Sequence, residues 1–322
     1  MKQRGAALLA AMLTVTLVAT FAAAALWQQW RSVEIESADR QRVQSTWILT
    51  GALDWARLIL REDRGDPDHL AEPWAVPLKE ARLSTFLAAD QANNAASETG
   101  DAEQVFLSGD ITDLQGRLNV GSLVQAGVIE DKRLLAFRRL FDVLGLPQAQ
   151  LARMVENMRF AFDINVDNRN AQRAPLQPHR VDQLVWLGLA PETVAALEPY
   201  VTILPGPSAG GMKVNLNTAP AEVVYAVIGN IRLADAQRLV AERERQHFRT
   251  LEDVKPLLPQ GAEVDGAVVG TGSSYFEVRG RLRIDDVVIE EHSIVQRQGR
   301  EVRTLQRERG ASQAFTTTEV KR

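Results

Sequence analysis

No cysteine occurs in this chain of 322 residues. That excludes disulfides, thiolate nucleophiles and thiolate metal sites, so any part outside the cytoplasm must be held by its core alone. Histidine is nearly as scarce. His69, His179, His247 and His292 form no i, i+4 pair and no HExxH, and neither G-x-S-x-G nor a Walker loop occurs. The common zinc, serine and nucleotide chemistries therefore have no signature here, and the expected class is non-enzymatic. Charge of one sign is also missing. The 37 Lys and Arg face 41 Asp and Glu, a net charge of −4, which leaves no global footprint for nucleic acid. The most informative gap is local: no charged residue stands between Arg4 and Arg31, and no acid precedes Glu34.

What fills that gap is an apolar run, Ala6 to Trp27. At helical rise it covers roughly 33 Å, enough for one bilayer crossing. Lys2 and Arg4 precede it, so the positive-inside rule puts the first residues in the cytoplasm and the remaining chain outside. Three readings are open: a plain membrane anchor, a secretory signal cut at Ala22-Ala23-Ala24, and a type IV pilin-like leader cut after Gly5. The pilin-like reading is favoured. Arg4-Gly5 abuts the apolar run, that run is long for a signal, and the helical pattern continues past Trp30.

Beyond Arg31 the pattern turns amphipathic, with Val43, Trp47, Leu53, Trp55, Leu58 and Ile59 as its packed face. Arg64-Gly65-Asp66-Pro67 stops the helix, which if continuous from Ala6 to about Glu62 is roughly 85 Å long. Residues 64–100 read as loop with a short helix near Leu78–Leu87. Val105–Thr112 and Gly116–Val120, flanking Asp113-Leu114-Gln115-Gly116, read as a hairpin. Helical periodicity then dominates to about Pro259. Tyr275–Ile284, Val287–Val295 and Val302–Arg307 alternate apolar with polar residues and predict a three-stranded antiparallel meander. Strands need one another to bury a face, so the expectation is an α+β fold, one sheet interrupted by a helical insertion. The tail after Arg309 shows no packing pattern and reads as disordered.

Inside the insertion, Lys213 to Val254 carries the sharpest signal. Asn217-Thr218-Ala219-Pro220 opens a helix that breaks at Ile228-Gly229-Asn230-Ile231 before a second helix. This resembles a helix-hairpin-helix unit, which in DNA-uptake and repair proteins frees main-chain N–H groups for a phosphate. Here Arg232 stands where a second glycine is usual, and seven Lys/Arg against six acids over residues 213–255 make a poor DNA footprint. Val181–Leu204 reads as a similar unit, its second helix opened by Pro191. Asp163-Ile164-Asn165-Val166-Asp167-Asn168 begins like a calcium loop, but Asn168 replaces the glycine and Ala174 the bidentate glutamate. The flanking Arg159, Arg169, Arg173 and Arg180 oppose a cation, so a solvated loop is expected.

Taken together, Gln3–Leu9, Gly109–Asn119, Pro199–Pro205, Val214–Val223 and Tyr275–Val278 resemble, in order, the motifs of the minor pseudopilin K family of type II secretion systems. The resemblance implies a pilin-like long transmembrane helix and small antiparallel sheet carrying a large inserted all-α domain with helix-hairpin-helix-like units. Its boundaries fall at 1–5 (leader), 6–63 (helix, 6–28 transmembrane), 64–120 with 266–309 (pseudopilin domain), 121–265 (insertion) and 310–322 (tail). It implies cleavage after Gly5 by prepilin peptidase, N-methylation of Ala6, and an inner-membrane protein with its C-terminal domain in the periplasm. It further implies a place at the pseudopilus tip with other minor pseudopilins, acting on secreted exoproteins without enzymatic activity. Most pilins have a glutamate five residues into the mature helix, and here that position is Ala10. Calcium is the one cofactor the family suggests, and Asp163 and Asp167 are its weak candidates. The rival expectation is a membrane-anchored helix-hairpin-helix protein that binds DNA.

Overall fold

The computed structural model describes residues 4–63, 65, 67–84, 105–125, 127–162, 174–204, 211–285 and 287–313. The chain divides into two compact units, Met1–Ala52 and Leu53–Arg322. One helix, α1 (Arg4–Glu62), begins in the first and ends in the second. Nothing in its sequence breaks it: it contains no proline, and its hydroxyls turn inward to the ladder. Thr14, Thr16 and Thr20 donate to the carbonyls of Ala11, Met12 and Leu17 at 2.8–3.0 Å, so no hydroxyl is left for lipid to desolvate. Leu9, Leu13 and Phe21 stand about two-thirds exposed, and this is the one helix among the described residues long and apolar enough to cross a membrane.

In the second unit α1 ends by burying Leu53, Ala56 and Leu60 against Trp74, Phe276, Val278, Val295 and Val302. The i, i+3, i+7 spacing is the expected amphipathic one, but the stripe is rotated. Of the face anticipated from sequence, Leu53 is buried and Ile59 half-buried, whereas Val43, Trp47, Trp55 and Leu58 are exposed. Helical spacing specifies a face only up to rotation, and small Ala56 lets the sheet approach where tryptophans could not. Arg57 ties the last turn down, its guanidinium donating twice to the carbonyl of Val302 (3.0 and 2.7 Å). The helix gives way at Gly65, whose φ of +87° suits glycine.

Along the chain follow β1 (Leu78–Arg82), β2 (Val105–Asp113), β3 (Leu118–Asn119), β4 (Val124–Gln125), β5 (Val128–Ile129), α2 (Asp131–Val143) and α3 (Gln148–Ala161). A 3₁₀ turn (Val181–Leu187) leads to α4 (Pro191–Leu197), β6 (Val201–Thr202), β7 (Val214–Asn215), α5 (Ala221–Val227), α6 (Leu233–Arg245), α7 (Leu251–Val254) and β8 (Val269–Gly270). The last strands are β9 (Tyr275–Ile284), β10 (Val287–Gln298) and β11 (Glu301–Gln313).

Five of these strands form one antiparallel sheet in the order β1-β2-β9-β10-β11, so the strands before and after the helical region do share a sheet. The chain reverses at Asp285 (φ +50°) and Gly299 (φ +60°), the two polar turns the alternation marked. Three expectations are corrected. Leu78–Arg82 is a strand paired with β2 and helix starts only at Leu83, where a helix was expected near Leu78–Leu87. No hairpin forms around Asp113–Gly116; Leu114–Gly116 is a 3₁₀ turn that sends the chain away, and β3 pairs parallel with β6. The Asp113 carboxylate causes this by accepting the N–H of Gln115 (2.7 Å), which caps the turn. Finally, β11 runs to Gln313, past the Arg309 boundary, because paired main chain needs no alternating side chains to continue.

The inserted region has its own core. α2 buries Arg133, Ala136, Phe137, Leu140 and Phe141, and α3 buries Leu151, Met154, Val155 and Met158, each at helical spacing. Each large apolar side chain so buried contributes roughly 1.5–3 kcal/mol. This core is separate from the one under the sheet, and Leu114, Leu204, Met212 and Tyr275 form a small third cluster.

Candidate functional site: the polar junction

Where the chain leaves the sheet and returns to it, the interior is polar. Asp113, at the end of β2, accepts on one oxygen from Thr218 Oγ1 (2.6 Å), Ser273 Oγ (2.6 Å) and Asn215 Nδ2 (3.1 Å). Its other oxygen holds the Gln115 N–H. Burial pushes the Asp113 carboxyl up, and these four donors work against that. Asn215 also donates to the carbonyl of Asp68 (3.1 Å), and Asn217 clips Phe248 from both sides: its amide donates to the Phe248 carbonyl and its carbonyl accepts the Phe248 N–H. Arg243 clamps α6 onto the same loop by donating to the carbonyls of Leu216 and Ala219, both at 2.6 Å. Burial lowers its pKa to about 10.

The second half of the junction is ionic. Arg297 of β10, only 6% exposed, donates to Asp63 (2.6 Å), to Asp68 and to the carbonyl of Ser273 (2.9 Å), and lies over the Phe276 ring. Asp68 also accepts the Ser273 N–H (2.7 Å). Burial raises Asp68 to about 6 in spite of Arg297. Glu72 takes the N–H of His69 (2.9 Å) and the indole N–H of Trp74 (2.7 Å), and burial raises it to about 7. Asp63, Asp68 and Glu72 lie close enough to hold a metal ion, but their oxygens are already engaged by a guanidinium and three N–H groups. The trio is a poor fit to calcium. Next to it, His69 and His247 stack with ring centres 3.7 Å apart, and His69 Nδ1 accepts the Ala71 N–H (3.3 Å). Burial and His247 both lower the His69 pKa.

This arrangement is a fastener. Asp113, Asp68, Asn215, Ser273 and Arg297 come from five separate stretches, and each bond ties the sheet, the end of α1 or the inserted region to another. Such a network is worth most when complete, because any partner left alone is buried and unpaired.

The residues expected from sequence lie elsewhere. Gly5, Ala6 and Ala10 are on the first turns of α1, and Ala10 is exposed. Asp163 and Asp167 lie outside the described residues. The helix-hairpin-helix unit forms as α5 and α6, but the Gly229 N–H is bonded to the carbonyl of Glu263 (2.9 Å), and the Glu263 N–H returns the bond (3.0 Å). Its carboxylate also accepts from Asn230 (3.2 Å), which places an acid at the hairpin tip where a phosphate would have to sit. The junction itself went unforeseen. Asp113, Asn215 and Thr218 stand within the motifs noted above, yet they read there as turn and helix-start residues. A signal was present in β10, where Arg297 shares the inward parity of Ser293 and Val295.

Two family models match, both described as type II secretion system (T2SS), protein K, over residues 116–206 and 214–271. The chain is 25% identical to type II secretion system protein K of Pseudomonas aeruginosa, covering 88% of this chain and 86% of that one. It is 24% identical to the protein K of Pectobacterium carotovorum subsp. carotovorum, covering 96% and 97%. The crystal structure of the GspK-GspI-GspJ complex from the enterotoxigenic Escherichia coli type 2 secretion system aligns with a TM-score of 0.59 at 16% identity, over 85% of this chain and 99% of that chain. That likeness gives the fold as α+β and pilin-like. With both matched segments in place and the relatives aligned over nearly their whole length, the chain is similar to the type II secretion system protein K family along most of its sequence.

Proposed function

We propose that this secretion-system component is the minor pseudopilin that caps the tip of a pseudopilus and helps move folded proteins across the outer membrane. One observation carries the reading: an exposed apolar helix with no acid before Glu34 and with Ala10 at the position of the usual pilin glutamate. That glutamate would meet the N-terminal amine of the subunit above. A subunit with nothing above it gains no such partner, and a carboxylate in lipid would only cost desolvation. The inserted region adds bulk that a terminal position tolerates. In this reading Lys2 and Arg4 keep the N-terminus cytoplasmic, the helix anchors the chain in the inner membrane, and the domain beyond it lies in the periplasm. Prepilin peptidase cuts after Gly5, and Ala6 becomes the methylated N-terminus. Small residues Ala6, Ala7, Ala10 and Ala11 allow neighbouring helices to approach. The partners are the other minor pseudopilins, with secreted exoproteins as cargo, and the role is structural.

Mass spectrometry of the membrane-extracted protein tests this most directly. A mature N-terminus at Ala6 is expected, whereas a start at Ala25 would mean ordinary signal cleavage and would end the tip reading. The DNA-binding alternative is disfavoured by the occupied Gly229 N–H and by the Glu263 carboxylate beside it.

A further inference from the structure

Between the inserted region and the sheet, within the second unit, lies an open cleft of about 790 Å³. Gln115 closes its base: Nε2 donates to the carbonyls of Lys213 (2.9 Å) and Gly272 (3.4 Å), and Oε1 accepts the Ser274 N–H (2.6 Å). One wall is residues 211–213, 249–251 and 269–272, and the other is the start of β9 with the end of β10 and its turn. Among the described residues no carboxylate lines this space, whereas Lys213, Arg249 and Arg297 all do. Arg297 is neutralised by Asp63 and Asp68. Lys213 and Arg249 are exposed and form no ion pair among the described residues. The Lys213 stem lies along Gly270, where an added Cβ would stand 3.4 Å from Lys213 Cδ.

Two cations outside any salt bridge, Arg249 being only partly balanced by the Asp253 carboxylate that accepts its main-chain N–H (2.8 Å), attract an anion more strongly in a recess than they would on open surface. The volume is within the range of roughly 300–1,000 Å³ that takes a small ligand or a few residues of peptide. Met212, Leu251 and Tyr275 alternate with amides and hydroxyls along the walls, and the glycines leave main chain bare. That lining suits an extended backbone with mixed side chains. A phosphate site would bring together convergent N–H groups or a bidentate arginine, and here the two cations come from different segments. We propose that this cleft binds a short acidic peptide segment, with its carboxylate held between Lys213 and Arg249. The proposal stands independently of the tip reading, which N-terminal processing tests separately.

The test is fluorescence anisotropy on the full-length chain in detergent micelles. The probes are a fluorescein-labelled octapeptide alternating glutamate and alanine, and its counterpart with glutamine for glutamate. Saturable binding of the glutamate peptide is expected, with the glutamine peptide at least about tenfold weaker. A loss of the same size is expected in Lys213→Glu/Arg249→Glu, with no change in Arg303→Ala on β11. Equal binding of the two peptides, or no saturable binding, would overturn the proposal without depending on how any variant folds. Undiminished binding in the double variant would do so too. Displacement by millimolar inorganic phosphate as readily as by unlabelled peptide would reassign the cleft as a simple anion site.

Discussion

Asp113 shows how much one side chain carries. Its four donors come from Gln115, Thr218, Asn215 and Ser273, so Asn215→Ala removes one of them and also frees the Asp68 carbonyl. The expected cost is about 2–4 kcal/mol, read by urea denaturation. Arg297→Met should cost about 3–5 kcal/mol by the same measurement, because it leaves Asp68 buried without its cation and with only the Ser273 N–H on its carboxylate. If both variants unfolded at the wild-type midpoint, the junction would have no structural role. Glu72 offers a pH test. Its native pKa of about 7 lies above its unfolded value, so between about pH 4.3 and 7 the native state holds a proton that the unfolded chain releases. The resulting stability is full below the unfolded value and lost as pH rises through 7. Asp68 acts in the same sense up to about 6, and His69, whose pKa is lowered, acts in the opposite sense. Glu72→Gln keeps the hydrogen-bond acceptor and removes only the Glu72 contribution. Wild type should therefore exceed this variant in stability by about 1–2 kcal/mol more at pH 5 than at pH 8, after discounting for the half-exposed position. Equal differences at both pH values would show that Glu72 titrates normally.

At the scale of elements, periodicity was readable where an element is long and its partner is near. α2 and α3 bury the residues that helical spacing picks out, and the β9–β11 meander follows its alternation. It failed where pairing is short and distant. β3 is two residues long and pairs with β6, more than 80 positions later, and no local pattern can announce such a bridge. β1 (LKEAR) has helix-forming residues and becomes a strand only because β2 supplies the hydrogen bonds. The polar junction was hidden for a similar reason, since Asp113 and Ser273 are 160 positions apart and each looks like an ordinary turn residue alone. The β2–β9 pair offers a clean test. Gly109 sits opposite Gly280, and a Cβ at Gly109 would lie 2.6 Å from the Arg279 carbonyl oxygen. Gly109→Ala should lower stability by about 1–3 kcal/mol by forcing backbone apart, and thermal denaturation reads it. An unchanged melting temperature would mean that the strands separate at no cost.

For the molecule as a whole, the bare face of α1 and the inserted region argue for assembly with unlike partners. Full-length protein co-expressed with the other minor pseudopilins should copurify with them in detergent and show little self-association in sedimentation. Long homopolymers would be incompatible with a capping role. Duplex DNA at low salt should not bind, because the hairpin N–H is taken and an acid stands beside it.

The interrupted sheet also sets a timetable. Asp113 and Phe276 pair across 163 positions, so β2 cannot complete its ladder until nearly all of the chain has been made. Closing so wide a loop is entropically uphill until the distant contacts arrive, while the helices between form from near neighbours. Leu53, Ala56 and Leu60 therefore wait uncovered for Phe276, Val278, Val295 and Val302, the last of their covering residues to emerge. A nascent chain halted at Ser274 would hold a finished inserted core beside an unfinished pair of strands, too few to stand alone. Limited proteolysis of such a halted chain should spare residues 131–158 and digest 53–82, and this interval is when a chaperone would have its hold on the protein.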